Sequence, residues 1–176
     1  GDARRPNSEV GLFEAATGKK LNSVVQNGLV QSAAFSPDGS LIAAAFSDNT
    51  ARLFNVSTYK EEIRLVHEGS VQNSDFSPDG RLLATASDDN AARIYEVATG
   101  KELFRLQHQG LVKTVSFSPN GALLATASAD KTVRLFGVAT GNELIQLTHA
   151  GGVRSALFSP DGRLLATASE ENAAQI

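Results

Sequence analysis

"FSPDG" at Phe35–Gly39 returns as "FSPDG" at Phe76–Gly80, as "FSPNG" at Phe117–Gly121 and as "FSPDG" at Phe158–Gly162. Each copy follows the last by 41 residues, with no insertion or deletion. A fixed period of this size marks an array of stacked units rather than one irregular domain. Within the motif Pro presets φ at about −65°, Asp or Asn tolerates the next turn position and Gly supplies a positive φ or a close approach. The stretch therefore reads as a hairpin turn. Its Ser and Asp look like parts of a hydrolase, but their recurrence in every unit assigns them to turn chemistry.

Outward from the turn, one unit contains "KELFRLQ" (101–107), "LVKTVSF" (111–117), "LLATAS" (123–128) and "TVRLFGV" (132–138). These are short apolar or β-branched runs, separated by "HQG", "SPNG", "AD" and "ATGN". Such punctuation predicts four strands in a meander, and no segment carries a 3.6-residue apolar period of helical length. The expected fold class is all-β.

The chain has 176 residues, 41% apolar and 20% charged, with mean hydropathy −0.13, the composition of a soluble globular protein. A net charge of −3 announces neither a nucleic-acid surface nor an acidic tail. No apolar run reaches the roughly 18 residues needed to cross a bilayer, and the N-terminus lacks a secretory pattern, so the expected location is cytoplasmic with no membrane partner. Cysteine is absent, which removes disulfides, thiolate catalysis and cysteine metal sites. Methionine is absent too, so the chain is expected to be a processed, excised or engineered piece.

From about Ser8 to Ile176 the chain resembles the WD-repeat β-propeller family. The resemblance rests on His67-Gly69, His108-Gly110 and His149-Gly151 as His-x-Gly signals, on the "FSPDG" turns, and on "LLATASDDNAARIYEV" (82–97) and "LLATASADKTVRLFGV" (123–138). It implies a β-propeller of four-stranded antiparallel blades, with the turn motif joining the first two strands of each blade. It also implies a hydrogen-bond relay inside each blade, from Trp through Ser or Thr to His and then Asp. Carried over, the relay positions are His67, Ser87 or Thr85, Asp89 and Tyr95; His108, Ser128 or Thr126, Asp130 and Phe136; and His149, Ser169 or Thr167, and Glu171. The first unit has Gln26, Phe46, Asp48 and Phe54 instead. Trp is absent, and Phe54 and Phe136 have no donor, so only Tyr95 is expected to close a relay. The three His residues fall one blade apart, which argues against a shared metal ion, and no cofactor is expected.

Residues 1–7 read as a flexible N-terminal arm or a cloning remnant, and residues 8–176 as a half-propeller. On the 41-residue period Phe13 aligns with Phe54, Tyr95 and Phe136. The chain then opens with a third strand near 9–15 and a fourth near 20–25, and closes with a first near 153–158 and a second near 164–169. The ends are expected to build one blade between them, with Phe13 as the closing aromatic. "NSEVGL" (7–12) and "ENAAQI" (171–176) compete for its third strand. Family members usually close as seven or eight blades, so the expectation is a homodimer forming one eight-bladed ring, against closure within one chain as four blades or excision from a longer propeller.

The resemblance places Gln31, Gln72, Lys113 and Arg154, with Glu68, Asp88 and Glu170, on the top face around the channel mouth, where peptides and proteins dock. The expected function is a noncatalytic protein-interaction or structural scaffold. An enzyme is the competing class, and no nonrepeating cluster of His, Asp or Glu supports it. Arg52, Arg93 and Arg134 recur on the third strand; overall acidity favours a solvated strand face over a nucleic-acid site.

Overall fold

The computed structural model describes residues 7–170 and 174–175. Among the described residues the secondary structure is antiparallel sheet alone. The first blade holds β3 (Val30–Phe35), β4 (Leu41–Phe46), β5 (Thr50–Asn55) and β6 (Glu61–Val66). The second holds β7 (Val71–Phe76), β8 (Leu82–Ser87), β9 (Ala91–Glu96) and β10 (Glu102–Gln107). The third holds β11 (Val112–Phe117), β12 (Leu123–Ser128), β13 (Thr132–Gly137) and β14 (Glu143–Thr148). Before them lies a hairpin of β1 (Asn7–Phe13) and β2 (Lys20–Asn27), and after them a sheet of β15 (Val153–Phe158), β16 (Leu165–Ser169) and β17 (Ala174–Gln175).

The repeated turn joins the first two strands of each blade. In the second blade the Ser77 hydroxyl donates to Asp79 at 2.6 Å and accepts from the Leu82 N–H at 2.9 Å, while Gly80 sits at φ 71°. Its Ser and Asp are thus spent on the turn itself.

The second strands of the three complete blades are buried on both sides, so none of them has a solvent face. The two sides differ in size. Ala84 and Ala86 of β8 face Val112, Phe117, Leu124 and Phe136 of the third blade. Ala43 and Ala45 face Val71, Phe76, Leu83 and Tyr95 of the second, and Ala125 and Ala127 face Val153, Phe158 and Leu165. Every blade therefore has a small face and a large face, and small packs on large in one direction along the array. The alanines let neighbouring sheets approach closely enough for the large side chains to fill the gap.

Among the described residues the array does not close on itself. β1 and β2 pair only with each other, and the third strand beside β16 is β17, with Thr167 opposite Gln175 and Ala168 opposite Ala174. Closure of one chain into four blades is thus not the arrangement observed. The expected aromatic Phe13 lies at the end of β1 and is 56% exposed, against 2–4% for Phe54, Tyr95 and Phe136. Residues 1–6 of the expected arm lie outside the described residues.

Candidate functional site

His67 and His108 are buried where the loop into each new blade crosses the second and third strands. In both, imidazole Nε2 lies 2.8 Å from a threonine hydroxyl, Thr85 and Thr126. The serines two residues on do something else. Ser87 donates to the Gly69 carbonyl at 3.1 Å and Ser128 to the Gly110 carbonyl at 3.0 Å. Ser and Thr share one pleat face, but Ser lies at the strand end, where its short side chain reaches only the loop. The relay hydroxyl is Thr, and Ser pins the His-x-Gly loop. That loop needs glycine for space: a Cβ on Gly69 or Gly110 would fall 2.6 or 2.9 Å from the amide nitrogen of Asp89 or Asp130.

The two relays differ beyond this point. In the third blade His108 Nδ1 is 3.0 Å from Asp130, which also accepts from the Gln109 N–H at 2.9 Å and the Thr132 hydroxyl at 2.5 Å. Burial opposes the Asp130 charge, but the bonds from Thr132, Gln109 and His108 outweigh it and hold the carboxyl at about 2. Burial also keeps His108 below its ordinary value, so the neutral ring donates through Nδ1 and accepts the Thr126 proton at Nε2. Phe136 stands edge-on to this ring with centroids 6.4 Å apart and donates nothing, so the relay ends at Thr126.

In the second blade Tyr95 does reach the ring, its hydroxyl 3.3 Å from His67 Nε2. The acid does not. Asp89 is clamped by Arg93 through two bonds of 3.0 and 2.7 Å, and among the described residues His67 Nδ1 is buried with no hydrogen bond to Asp89. One residue accounts for the difference. Thr132 places its hydroxyl between Asp130 and Arg134, accepting from Arg134 Nε at 3.2 Å. The second blade has Ala91 there, so Arg93 takes both carboxylate oxygens. Ala91→Thr is expected to free one oxygen for His67, raise the imidazole pKa in an NMR titration and add about 1 kcal/mol of stability.

The first blade has no relay hydroxyl. Ala44 and Phe46 stand where Thr85 and Ser87 stand, and Phe46 is fully buried with the Arg52 guanidinium 4.6 Å above its ring. Packing and a cation–π contact replace the hydrogen bonds. In the last unit His149 and Thr167 are buried, the Thr167 hydroxyl has no partner among the described residues, and Ser169 ends β16. Glu171 lies outside the described residues.

The expected top-face residues only partly converge. Gln72, Lys113, Ala129, Gly152, Val153, Arg154 and Glu170 line a cleft of about 360 Å³ at the end of the sheets carrying the His-x-Gly loops. Asp88 braces it, accepting from Gln72 at 2.6 Å and pairing with Lys113 at 3.1 Å. Arg154 and Glu170 stand 3.7 Å apart and largely exposed. Gln31 and Glu68 are exposed but do not line the cleft.

The family described as "WD domain, G-beta repeat" matches residues 18–55, 60–96, 100–137 and 141–176. The chain is a WD-repeat protein. No curated protein matches it. WD repeats as a family bind protein partners and serve as scaffolds.

Within this WD-repeat chain the recurrent arginines are not the solvated face expected of them. Arg52 and Arg93 are 3% and 1% exposed, and each of the three pairs with the acid four residues earlier: Asp48, Asp89 and Asp130. Glu61, Glu102 and Glu143 of the fourth strands supply a second carboxylate to each. A long side chain on the third strand runs under these two acids, which neutralise it; a nucleic-acid surface needs the opposite arrangement.

Two functional side chains carried no motif. On β7, Asn73 accepts from the Val115 N–H at 3.1 Å and Asp75 from the Phe117 N–H at 2.9 Å, tying the inner strands of two blades. Burial raises the Asp75 pKa while the Phe117 and Phe76 amides lower it. The available signal was an amide where the other units carry Ser32, Thr114 and Ser155, and a carboxylate where they carry Ala34, Ser116 and Leu157.

Proposed function

We propose that this WD-repeat chain is a noncatalytic protein–protein interaction scaffold that closes its propeller with a second copy, as a two-fold homodimer of eight blades. The supporting observation is a pair of uncovered surfaces of matching kind. The first blade's large face is covered by Val10 and Val24 over Ala44, Phe46 and Phe54 but bare at Phe35. On the C-terminal sheet the small face, with Ala166 and Ala168, is exposed, as are Leu157 (58%) and Leu164 (57%). On the first blade Phe35 of the large face is 55% exposed, against 6% and 7% for Phe76 and Phe117. Three internal junctions bury these same faces against each other. Contiguous apolar surface of this sort marks an interaction site, and head-to-tail faces make a ring when the rotation closes. Three complete blades per chain and two shared ones make eight.

The cleft beside Lys113 and Arg154 is the docking place this reading assigns to a protein or peptide partner. Its adjacent opposite charges suit a polar segment. Further repeats on a longer chain would fill the same open faces, which is the second reading: a piece of a larger propeller. Light scattering across a dilution series separates them. A particle of about 37 kDa, twice the 18.5 kDa chain mass, that persists on dilution is the expected result. A stable 18.5 kDa particle overturns the homodimer and leaves the second reading.

A further inference from the structure

Resting on the two-copy reading, we infer that the second copy is held by a joint of two parts: the turn before β2 of one copy sits on β14 of the other, and β1 of the first pairs with β16 of the second in the place β17 holds.

The first part comes from a turn that repeats as "AATG" (15–18), "VATG" (97–100) and "VATG" (138–141). In the interior copies its glycine lies against the outer strand of the preceding blade. A Cβ on Gly100 would meet Ile63 at 3.0 Å and Leu65 at 3.5 Å, and one on Gly141 would meet Phe104 at 2.4 Å. A Cβ on Gly18 would meet nothing within 4 Å among the described residues. The outer-strand positions that receive the turn are Ile63 and Leu65, then Phe104 and Leu106, then Ile145 and Leu147, at the 41-residue period. Leu65 and Leu106 are 4% and 3% exposed, whereas Ile145 and Leu147 are 49% and 41% exposed. One turn lacks a seat, and one seat lacks a turn. Gly18 plus four periods falls one period beyond Gly141, which is the place the open seat requires.

The second part is the strand edge. Within the first blade β4 and β5 pair Ile42 with Phe54, Ala43 with Leu53, Ala44 with Arg52 and Ala45 with Ala51, and the other blades repeat this register. Shifted by the same period, it sets Leu165 opposite Phe13, Ala166 opposite Leu12, Thr167 opposite Gly11 and Ala168 opposite Val10. Among the described residues the edge of β1 away from β2 is unpaired, and an apolar cavity of about 280 Å³ bounded by Val10, Leu12, Phe13, Ala33, Phe35 and Ile42 opens beside it. Hairpin β15–β16 has the side chains to fill it: Ala166, Ala168 and Leu157. β17 holds its place with two residues, while β1 offers four and is already joined to β2. An open strand edge beside an apolar hollow takes up another strand.

The absence of cysteine makes the register directly readable. Leu12→Cys chain is mixed with Ala166→Cys chain and oxidised, in parallel with Phe13→Cys and Leu165→Cys, because neighbouring antiparallel pairs alternate between close and wide spacing. One of the two mixtures is expected to yield a covalent particle of twice the chain mass. Ile145→Glu is expected to raise the dissociation constant of the unlinked dimer about 100-fold, since it puts a charge where a side chain should be buried, while Gln146→Glu on the other side of β14 leaves it unchanged. A dimer that forms no cross-link in either mixture and ignores Ile145→Glu overturns this joint and leaves the two-copy reading intact. A chain that stays monomeric at every concentration overturns both.

Discussion

Arg93→Met is expected to lower unfolding stability by about 3–5 kcal/mol, the cost of leaving one member of a buried ion pair alone. Asp89 is 5% exposed in its side chain and receives two of its bonds from the Arg93 guanidinium. Methionine keeps the apolar stem and removes only the charge, so the loss reports the stranded carboxylate rather than a cavity. Arg93 Nε faces Glu102 at 3.3 Å without hydrogen-bond geometry, and that contact adds less. Urea titration of Arg93→Met beside Arg64→Ala provides the comparison. Arg64 pairs with Glu61 while 51% exposed, so its loss should stay under about 1 kcal/mol. Adding Asp89→Asn to Arg93→Met should recover part of the deficit. A fall of under 1 kcal/mol for Arg93→Met would show that the pair is not desolvated as described.

Acidification from pH 7 to pH 4 is expected to cost about 3 kcal/mol through His67 alone. Burial, then the nearby Arg93 charge, pushes this imidazole down from 6.5 to about 4 against the pull of Asp89. The unfolded chain takes up a proton near 6.5 and the folded chain only near 4, so stability falls across that window and levels off below it. His108 is also held low by burial and adds in the same direction. Asp75, raised by burial, protonates first in the folded state and offsets part of the loss. Asp130 acts later: its folded value of about 2 lies below the ordinary 3.8, so its contribution is present above 3.8 and disappears between 3.8 and 2. Denaturant unfolding at pH 7 and pH 5, in the native chain and in His67→Gln, isolates the term. An identical pH slope in both would refute the assignment.

The His67 and His108 environments also show where sequence reasoning stopped. The 41-residue period fixes where both imidazoles, both acids and the hydroxyl-bearing strand fall along the chain. It could not choose Thr over Ser, because both point to one face and only the distance to the ring separates them. Nor could it foresee that Ala91 hands Asp89 to Arg93, a choice made by three side chains competing for two oxygens. The arginines were misread for a related reason: alternation reports which face a residue is on, whereas burial of a long side chain depends on what the next strand lays over it.

The chain by itself determined the repeat, the turns and the four-strand meander, because each is local or recurs at one spacing. Tertiary structure alone decided which repeated positions lack their mates. Phe35, Ile145, Leu157 and Gly18 are ordinary members of their repeated positions in sequence, and only the stacking of blades leaves them uncovered. Exposure is set by a neighbour 41 residues away or by a second molecule, and no local pattern carries that information.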